Sequence, residues 1–377
     1  MGYEVLRYRP ELKPAALALL AHAWGHDAER NARTFAWKFE RNPYLAQPLL
    51  QIVAADGQPV AIRSLHGVRW LRGLDDAALQ ALGTGDFAID PAYRGRHLFG
   101  RIMSAAAAEA REHGCRYLVS LSAGPATRLQ SLRAGWRDLG EITTWQRTSP
   151  AAQIRRLLHE RMAEHRALRA LAARARRQAW LRTVAGVRLV SDRFRPLERA
   201  LGQTRSAGGL SLTVSERPRP EAMASLIALR RPDDMVRSAC DARYLAWRFD
   251  NPLSSYRFVY CGASALEGFV VLETPDDPER DRVRIVLWEA QDEALRSRLL
   301  RIVVEAGQFA DLRLWDQGLT ALEAEALHGM RFRRPATDRP SRHQLSLLAM
   351  DLAPTEVGPG LPDIGGWWLR MIDSDKC

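Results

Sequence analysis

The chain has few lysines, few cysteines and no long apolar run. Only three of its 55 basic residues are lysines, so arginine supplies almost all of the positive charge. The four cysteines lie far apart, without the spacing of a metal site, which excludes a zinc motif and fits a reducing cytoplasm. The longest apolar runs, such as 15–23, are much shorter than a membrane span, and the N-terminus lacks a secretory signal pattern. We therefore expect a cytoplasmic protein that holds no metal.

The composition is that of a globular protein, and its charge is unevenly distributed. The chain has 377 residues, which is long enough for two domains with separate cores, and 46% of these residues are hydrophobic. The net charge is +11, but residues 151–205 contain fourteen arginines against four acidic residues, a net charge of +10. Arginine enrichment in general can follow from a GC-rich genome, so the clustering is more informative than the total.

The basic cluster includes a segment of helical composition at 154–184, in which leucines and a tryptophan alternate with arginines. Three interpretations of it remain open. The helix packs on one or both domains; or it lies on a membrane surface, with its arginines toward anionic lipid; or it contacts nucleic acid. The last is not expected, because the segment shows neither aromatic platforms nor a known nucleic-acid-binding module. On lipid, the protein would be peripheral at the inner membrane surface.

A short motif occurs twice. The sequence AWKFERNP at 36–43 recurs as AWRFDNP at 246–252, with one residue deleted. Each copy follows an apolar helical segment and precedes two strand-like stretches, which is the pattern of helices followed by an antiparallel hairpin. The repeat therefore predicts two tandem copies of one α/β fold.

The segment at 86–101 has the composition of a phosphate-binding turn. A short apolar strand at 87–89 leads through a proline turn into a basic loop and an alanine-rich helix. The N-terminus of a helix carries unpaired N–H groups and a partial positive charge, so a loop that feeds it can hold a phosphate. An ordinary strand–turn–helix with exposed arginines is the other interpretation. The loop supplies Gly95 and Gly100 for close approach, and Arg94, Arg96 and Arg101 for charge.

This segment resembles the acetyl-CoA-binding turn of the GCN5-related N-acetyltransferase (GNAT) superfamily, whose loop has the motif R/Q-x-x-G-x-G/A. When this motif is aligned with residues 94–99, Arg94 stands at its first position. His97 stands where the motif has its first glycine, and Phe99 stands where it has its second glycine or alanine. His97 is the main departure, because glycine allows a positive φ and a close approach to the pyrophosphate. The resemblance implies acetyl-CoA as co-substrate, held by Phe87, Ala88, Ile89, Arg94, Gly95, Arg96, His97, Leu98, Phe99, Gly100 and Arg101.

The resemblance also implies an α/β (α+β) fold with two tandem GNAT-like domains, each a mixed, mostly antiparallel sheet flanked by helices. The second copy has the acidic sequence EAQDE at 289–293 where the cofactor turn should be, which would repel a pyrophosphate. We therefore expect a degenerate, non-catalytic second copy. The predicted ranges are a GNAT-like acetyl-CoA-binding domain at 1–149, an Arg-rich helical connector at 150–210, the degenerate domain at 211–353 and a C-terminal tail at 354–377.

Smaller features complete this prediction. Residues 143–146 are predicted to close the first sheet, and residues 344–352 to close the second. Residues 206–209 are predicted to form a flexible join. Trp367 and Trp368 in the tail are expected to dock on a domain.

Acyl transfer to an amine needs a bound thioester, a polarised carbonyl and a base for the incoming ammonium. In the family, a backbone N–H on the strand before the cofactor turn polarises the thioester carbonyl, and in this sequence that strand is 87–89. Asp86 is the predicted base, and the other interpretation is that it ends a turn with Thr84 and Gly85. Ser131 stands where many members have a tyrosine acid, so the thiolate would leave unassisted or through water.

Three residues of the first motif copy, Trp37, Phe39 and Asn42, are candidates for the acceptor pocket, since the family binds acceptors near this hairpin. Their recurrence in the second copy favours a structural role instead. His66, His97 and His113 show no triad spacing, and no nucleophile or metal motif is present in the sequence.

The leading hypothesis is an acyl-CoA-dependent N-acyltransferase, in which an amine attacks the thioester directly. Similar tandem proteins are associated with glycan synthesis, which suggests an amino-sugar acceptor by analogy alone. One alternative is a catalytically inactive GNAT-fold scaffold. Another is a tRNA-dependent aminoacyl transferase of the tandem cell-wall type. The sequence leaves the acceptor, the acyl length and the oligomeric state open.

Overall fold

The computed structural model describes residues 2–73, 75–150, 152–153, 197, 200–232, 234–275, 283–307, 309–315, 317–334, 345–353 and 360–374. The helix predicted at 154–184, with its possible lipid contact, lies outside these residues. Within the described ranges, no helix is long and apolar enough to cross a membrane.

The first sheet carries helices on both faces. Alternate residues of one strand point to opposite sides: Leu50 and Ile52 pack with Phe35 on one face, while Val53 packs with Leu98 on the other. The strands, in spatial order, are β1 (Tyr3–Arg7), β2 (Leu49–Ala55), β3 (Gln58–Gly67), β6 (Ala81–Ile89), β7 (Tyr117–Ala123), β17 (Leu345–Asp351) and β8 (Arg137–Ile142). The helices are α1 (Lys13–Trp24) and α2 (Ala28–Phe35) on the first face, α3 (Leu98–Glu112) on the second, and α4 (Pro125–Arg133).

The second sheet repeats this architecture. Its strands, in spatial order, are β10 (Thr204–Ala207), β11 (Leu210–Ser215), β13 (Ser254–Cys261), β14 (Gly268–Pro275), β15 (Val283–Ala290), β16 (Asp311–Trp315) and β9 (Thr144–Thr148). Its helices are α5 (Pro220–Leu229), α6 (Ala242–Phe249), α7 (Glu293–Gly307) and α8 (Ala321–Gly329). In each sheet a fifteen-residue helix follows the strand that begins the parallel pair: α3 follows β6, and α7 follows β15. This element order of the first domain therefore recurs in the second.

The predicted flexible join at 206–209 is wrong. Strands β10 and β11 form an antiparallel hairpin, and its two-residue loop is Gly208 and Gly209, with φ values of 53° and 74°. Two residues with positive φ make the tight turn whose twist matches that of the flanking strands. The glycines thus serve a turn inside the second sheet, which starts before the boundary predicted at 211.

The two domains exchange their closing strands, so the predicted assignment of 143–146 and 344–352 is wrong. Strand β9 pairs with β16 of the second sheet, and its Trp145 is fully buried in that domain's core. Strand β17 lies between β7 and β8 of the first sheet. The local pattern of these strands does not specify a sheet, so the choice of partner depends on long-range pairing. Each sheet therefore needs residues from both predicted domain ranges.

A third, small sheet joins the domains and the tail. Its strands, in spatial order, are β18 (Trp367–Trp368), β12 (Val236–Ser238), β4 (Trp70–Arg72) and β5 (Ala77–Leu79). Trp367 is fully buried and packs edge-on against Trp70. The expected docking of the tail tryptophans is confirmed.

Candidate active site

Strand β6 separates from β7 partway along its length. The two strands are parallel and pair only from Ala81 to Gly83, opposite Tyr117 to Val119, although β6 continues to Ile89. A cleft therefore opens in the first sheet just beyond Gly83.

The opposite edge of β6 carries a β-bulge at the same level. On β3, Arg63 pairs with Phe87 and Leu65 with Thr84, so one residue of β3 faces two residues of β6. The extra residue takes part of the backbone out of the ladder and re-aims the side chains near it. Gly85 and Asp86 are the two residues at this bulge.

The turn after β6 leads into an N-terminus of α3 that has no side-chain cap among the described residues. Gly95 and His97 both have positive φ, 77° and 58° respectively. His97 thus adopts the left-handed conformation for which the family motif uses glycine. The uncapped N–H groups of α3 and the exposed Arg94 and Arg96 beside them are a candidate anion site.

Apolar and aromatic contacts hold this turn in place. Leu98 is buried, and Phe99 packs edge-on against Phe87 with ring centroids 5.3 Å apart. The guanidinium of Arg96 lies 5.0 Å from the ring centroid of Tyr93 and donates to the hydroxyl of Tyr3. These contacts anchor the loop that carries the arginines and leads into α3.

The donor set of the turn is suited to the pyrophosphate of CoA. It combines uncapped helix N–H groups with nearby arginines, and phosphate oxygens accept hydrogen bonds from both. A Cβ atom on Gly95 or Gly100 would meet nothing within 4 Å, so the protein leaves the outer side of the turn open. Of the predicted cofactor residues on β6, Phe87 and Ile89 pack beneath α3, while the side chain of Ala88 lies on the opposite face.

Asp86 lies within β6, so the interpretation that it ends a turn is wrong. Its carboxylate accepts from the indole of Trp24 at 3.0 Å and pairs with the Lys38 ammonium at 2.8 Å. Burial raises the pKa of Asp86, but the charge of Lys38 and hydrogen bonds from Lys38 and Trp24 outweigh burial, so the pKa lies below its ordinary value. A carboxylate held as an anion is a weak base at neutral pH. Its role as the base stays a prediction.

Three polar side chains, Lys38 among them, converge on Gly85. A Cβ atom there would lie 2.7 Å from Ser64 Oγ, 3.3 Å from His66 Nδ1 and 3.7 Å from Lys38 Cε. We call Trp24, Lys38, Ser64, His66 and Asp86 the Gly85 cluster. Sequence reasoning missed Lys38, Ser64 and His66. The available signal was the pair of glycines in a strand, Gly83 and Gly85, which marks a close approach.

The predicted acceptor-pocket residues flank Lys38 but are covered by protein. Trp37 stacks on Trp247 of the second domain, with ring centroids 5.0 Å apart. Phe39 packs edge-on against Phe35 in the core under α1 and α2. Asn42 accepts from the backbone N–H of Tyr44 and donates to the carbonyl of Gly67, closing a turn. An acceptor contact by these side chains stays a prediction.

The second domain has lost the equivalent of the turn. Its helix α7 is capped by Asp292, whose carboxylate accepts from the backbone N–H of Leu295 at 2.8 Å, and Glu293 lies in the first turn. Behind this helix the buried Glu289 lies within ion-pair distance of Arg296 and Arg370. Acidic side chains thus occupy the N-terminus of α7, the position at which a phosphate would have to bind.

Comparison with known proteins agrees with this architecture. Residues 11–134 match the model of the Acetyltransferase (GNAT) family. No curated protein matches the chain. Among solved structures, a GCN5-related N-acetyltransferase from Anabaena variabilis aligns with a TM-score of 0.55 at 13% identity, over 93% of this chain and 73% of that one. A probable N-acyltransferase from Enterococcus faecalis gives a TM-score of 0.56 at 10% identity, with the same coverage.

A tandem GNAT protein from the clavulanic acid biosynthesis pathway aligns over its full length and 95% of this chain, with a TM-score of 0.51 and 12% identity. At such identities the likeness shows the fold alone. Residues 11–134 are thus a domain of the GNAT acetyltransferase family, in a chain that has the fold of a tandem GNAT protein.

Proposed function

We propose that the protein is an acyl-CoA-dependent N-acyltransferase whose first domain is catalytic. The observation that carries this proposal is the uncapped N-terminus of α3, placed behind a turn with two left-handed residues, Gly95 and His97. This turn directly follows the strand whose bulge and separation open the cleft. The GNAT family model covers the same residues, which supports the assignment.

Acetyl-CoA, when bound, supplies an acyl group activated as a thioester. The turn at 94–101 would hold the pyrophosphate, and the β6 backbone beyond the bulge is the candidate donor to the thioester carbonyl. The acceptor amine then attacks directly, without an acyl-enzyme. Ser131, whose side chain is buried on α4, stands where a tyrosine acid would be, so we propose that the thiolate leaves unassisted or through water.

We also propose that the transferred group is acetyl and that the acceptor is an amine, with an amino sugar as the first candidate. Both rest on the family resemblance.

The second domain is proposed to be non-catalytic and to support the first. Its turn is blocked by the Asp292 cap and carries no free helix N-terminus for a phosphate. The chain that follows it contributes β17, which pairs with the edge of β7 that faces away from the cleft. The second copy thereby supports β7, the strand that borders the proposed active site.

Calorimetric titration with acetyl-CoA tests the proposal. We expect a dissociation constant in the micromolar range, equivalent to about −7 to −8 kcal/mol. Failure to bind acetyl-CoA would overturn the enzyme assignment. Binding without acetyl transfer to any amine in a broad panel, amino sugars included, would favour the inactive scaffold.

A further inference from the structure

We propose that His66, and not Asp86, is the residue that takes the proton from the acceptor's ammonium group. The inference rests on the proposed function and deepens it, because it names the base of the same site. It follows from the position of the imidazole, from the ion pair that engages Asp86, and from a comparison of the two copies.

The imidazole of His66 lies where the cleft begins. His66 on β3 pairs with Gly83 on β6, and Gly83 is the last residue of β6 that pairs with β7. A Cβ atom on Gly83 would lie 2.2 Å from His66 Nε2 and 2.4 Å from Cε1, so the ring occupies the space of the missing side chain. The glycine therefore allows the imidazole to lie against the strand backbone at the branch point.

Asp86 is engaged in a different role. Its carboxylate is held by the Lys38 ammonium at 2.8 Å and by the Trp24 indole at 3.0 Å. A proton placed on this carboxylate would weaken both contacts. An imidazole instead changes charge between about pH 5 and 8, in the range where a general base is effective. The Asp86 carboxylate interacts favourably with the charge that His66 would gain.

The second copy lacks this arrangement at the equivalent register. In the first copy, His66 and Gly83 are the second residue pair after the bulge between β3 and β6. In the second copy, the second pair after the bulge between β14 and β15 is Glu273 with Arg284. Arg284 is also the last residue of β15 that pairs with β16. The two side chains form an ion pair at 2.9 Å, with Glu273 almost fully buried. An imidazole over a glycine is thus found in the copy with the open cofactor turn, and a closed ion pair in the copy without it.

The proton transfer balances simply. The ammonium of the acceptor loses one proton to a ring nitrogen of neutral His66, and the amine lone pair then attacks the thioester carbon. The imidazolium that forms releases the proton to solvent or to the departing thiolate. No oxidant, reductant or metal takes part.

The test compares His66→Gln and Asp86→Asn on two small acceptors, with His113→Gln as a control at an exposed histidine on the end of α3. The acceptors are ethanolamine, which is almost fully protonated at neutral pH, and hydroxylamine, which is largely unprotonated. We expect His66→Gln to lower the rate with ethanolamine by about 10²- to 10⁴-fold. The same variant should lose the acid limb of the rate–pH profile. Its rate of hydroxylamine acetylation should stay within a few-fold of that of the unaltered protein, and its affinity for acetyl-CoA should be unchanged. An equal loss of rate with both amines would overturn the proposal. So would an acid limb of the rate–pH profile that is absent in Asp86→Asn and present in His66→Gln.

A second measurement does not depend on the acceptor. We expect the imidazole Cε1 proton resonance of His66, assigned by its loss in His66→Gln, to shift when acetyl-CoA is added to the whole protein. The resonance of His113 should stay in place. Binding of acetyl-CoA without any shift at His66 overturns this inference and leaves the proposed function standing. Failure to bind acetyl-CoA overturns the proposed function itself.

Discussion

Trp37 and Trp247 stack face to face, and each donates its indole N–H to the backbone carbonyl of the other at 2.8 Å. Their ring planes differ by 9°. The two residues hold equivalent positions in the repeated motif, so this reciprocal contact marks an approximate twofold relation between the domains. Tyr44 and Tyr244 also stack across it, 6.0 Å apart. The shared tryptophan of the two copies therefore serves the domain interface.

Trp37→Ala should destabilise the whole chain. The change removes a buried aromatic ring and leaves the Trp247 carbonyl and indole with altered partners, so we expect a loss of about 3–5 kcal/mol in the free energy of unfolding. Trp37→Phe, which keeps a ring but loses the donor, should cost less. Urea unfolding measures both. A Trp37→Ala protein of normal stability with a raised KM for the acceptor would instead support the acceptor-pocket prediction.

Replacing Arg94 and Arg96 together by alanine should weaken acetyl-CoA binding tenfold or more, because both cations lie beside the helix N-terminus proposed to bind the pyrophosphate. Calorimetry at low and moderate salt measures the loss, which should be smaller at higher salt. Arg243→Ala, at an exposed arginine on α6, is the matched control and should bind normally. Equal affinities for the double variant and the control would remove the turn from the binding site.

His97→Gly should stabilise the turn. His97 holds a φ of 58°, which glycine adopts without steric cost, so relief of about 1 kcal/mol is expected. Acetyl-CoA binding should be as strong as in the unaltered protein or stronger. His97→Val should do the opposite, because a β-branched side chain resists positive φ. Thermal unfolding and calorimetry on the pair check this, and a weaker CoA complex in His97→Gly would show that the imidazole itself binds.

The Lys38–Asp86 pair predicts a dependence of stability on pH. Because the pKa of Asp86 is lowered in the folded protein, its contribution is present above the unfolded pKa of about 4 and is lost as pH falls through the lower folded value. The stability difference between the protein and Asp86→Asn should therefore shrink as pH falls below about 4. Urea unfolding from neutral to acidic pH measures it, with the exposed Asp75→Asn as control. A difference that grows in acid would contradict the assigned ion pair.

The strand exchange predicts that the first domain cannot fold alone. A fragment of residues 1–200 lacks β17, so β7 and β8 lose the strand that lies between them and expose unpaired edges. We expect this fragment to be insoluble alone and to be recovered as a complex when co-expressed with residues 201–377. Soluble yield and co-purification measure this. A soluble, monomeric 1–200 fragment that binds acetyl-CoA would show that β17 is dispensable.

Local chemistry made part of this protein visible in its sequence. The turn at 86–101 was recognisable because a helix N-terminus, two glycines and three arginines are adjacent in the chain, and these are local features. The tandem fold followed from a repeated motif and its flanking helix and strand patterns. The acidic start of α7 likewise indicated a second copy without the cofactor turn.

Only the tertiary structure decided how distant segments meet. Strand β9 has the sequence TWQRT, whose one large apolar residue, Trp145, could enter either core. Its pairing with β16 therefore depends on contacts with residues more than 160 positions away. The Gly85 cluster joins side chains from α1, the motif at 36–43, β3 and β6, and no spacing in the chain brings these together. Asp86 had the right chemistry for a base, but its ion pair with Lys38 and the neighbouring imidazole exist only once the sheet and helices have packed.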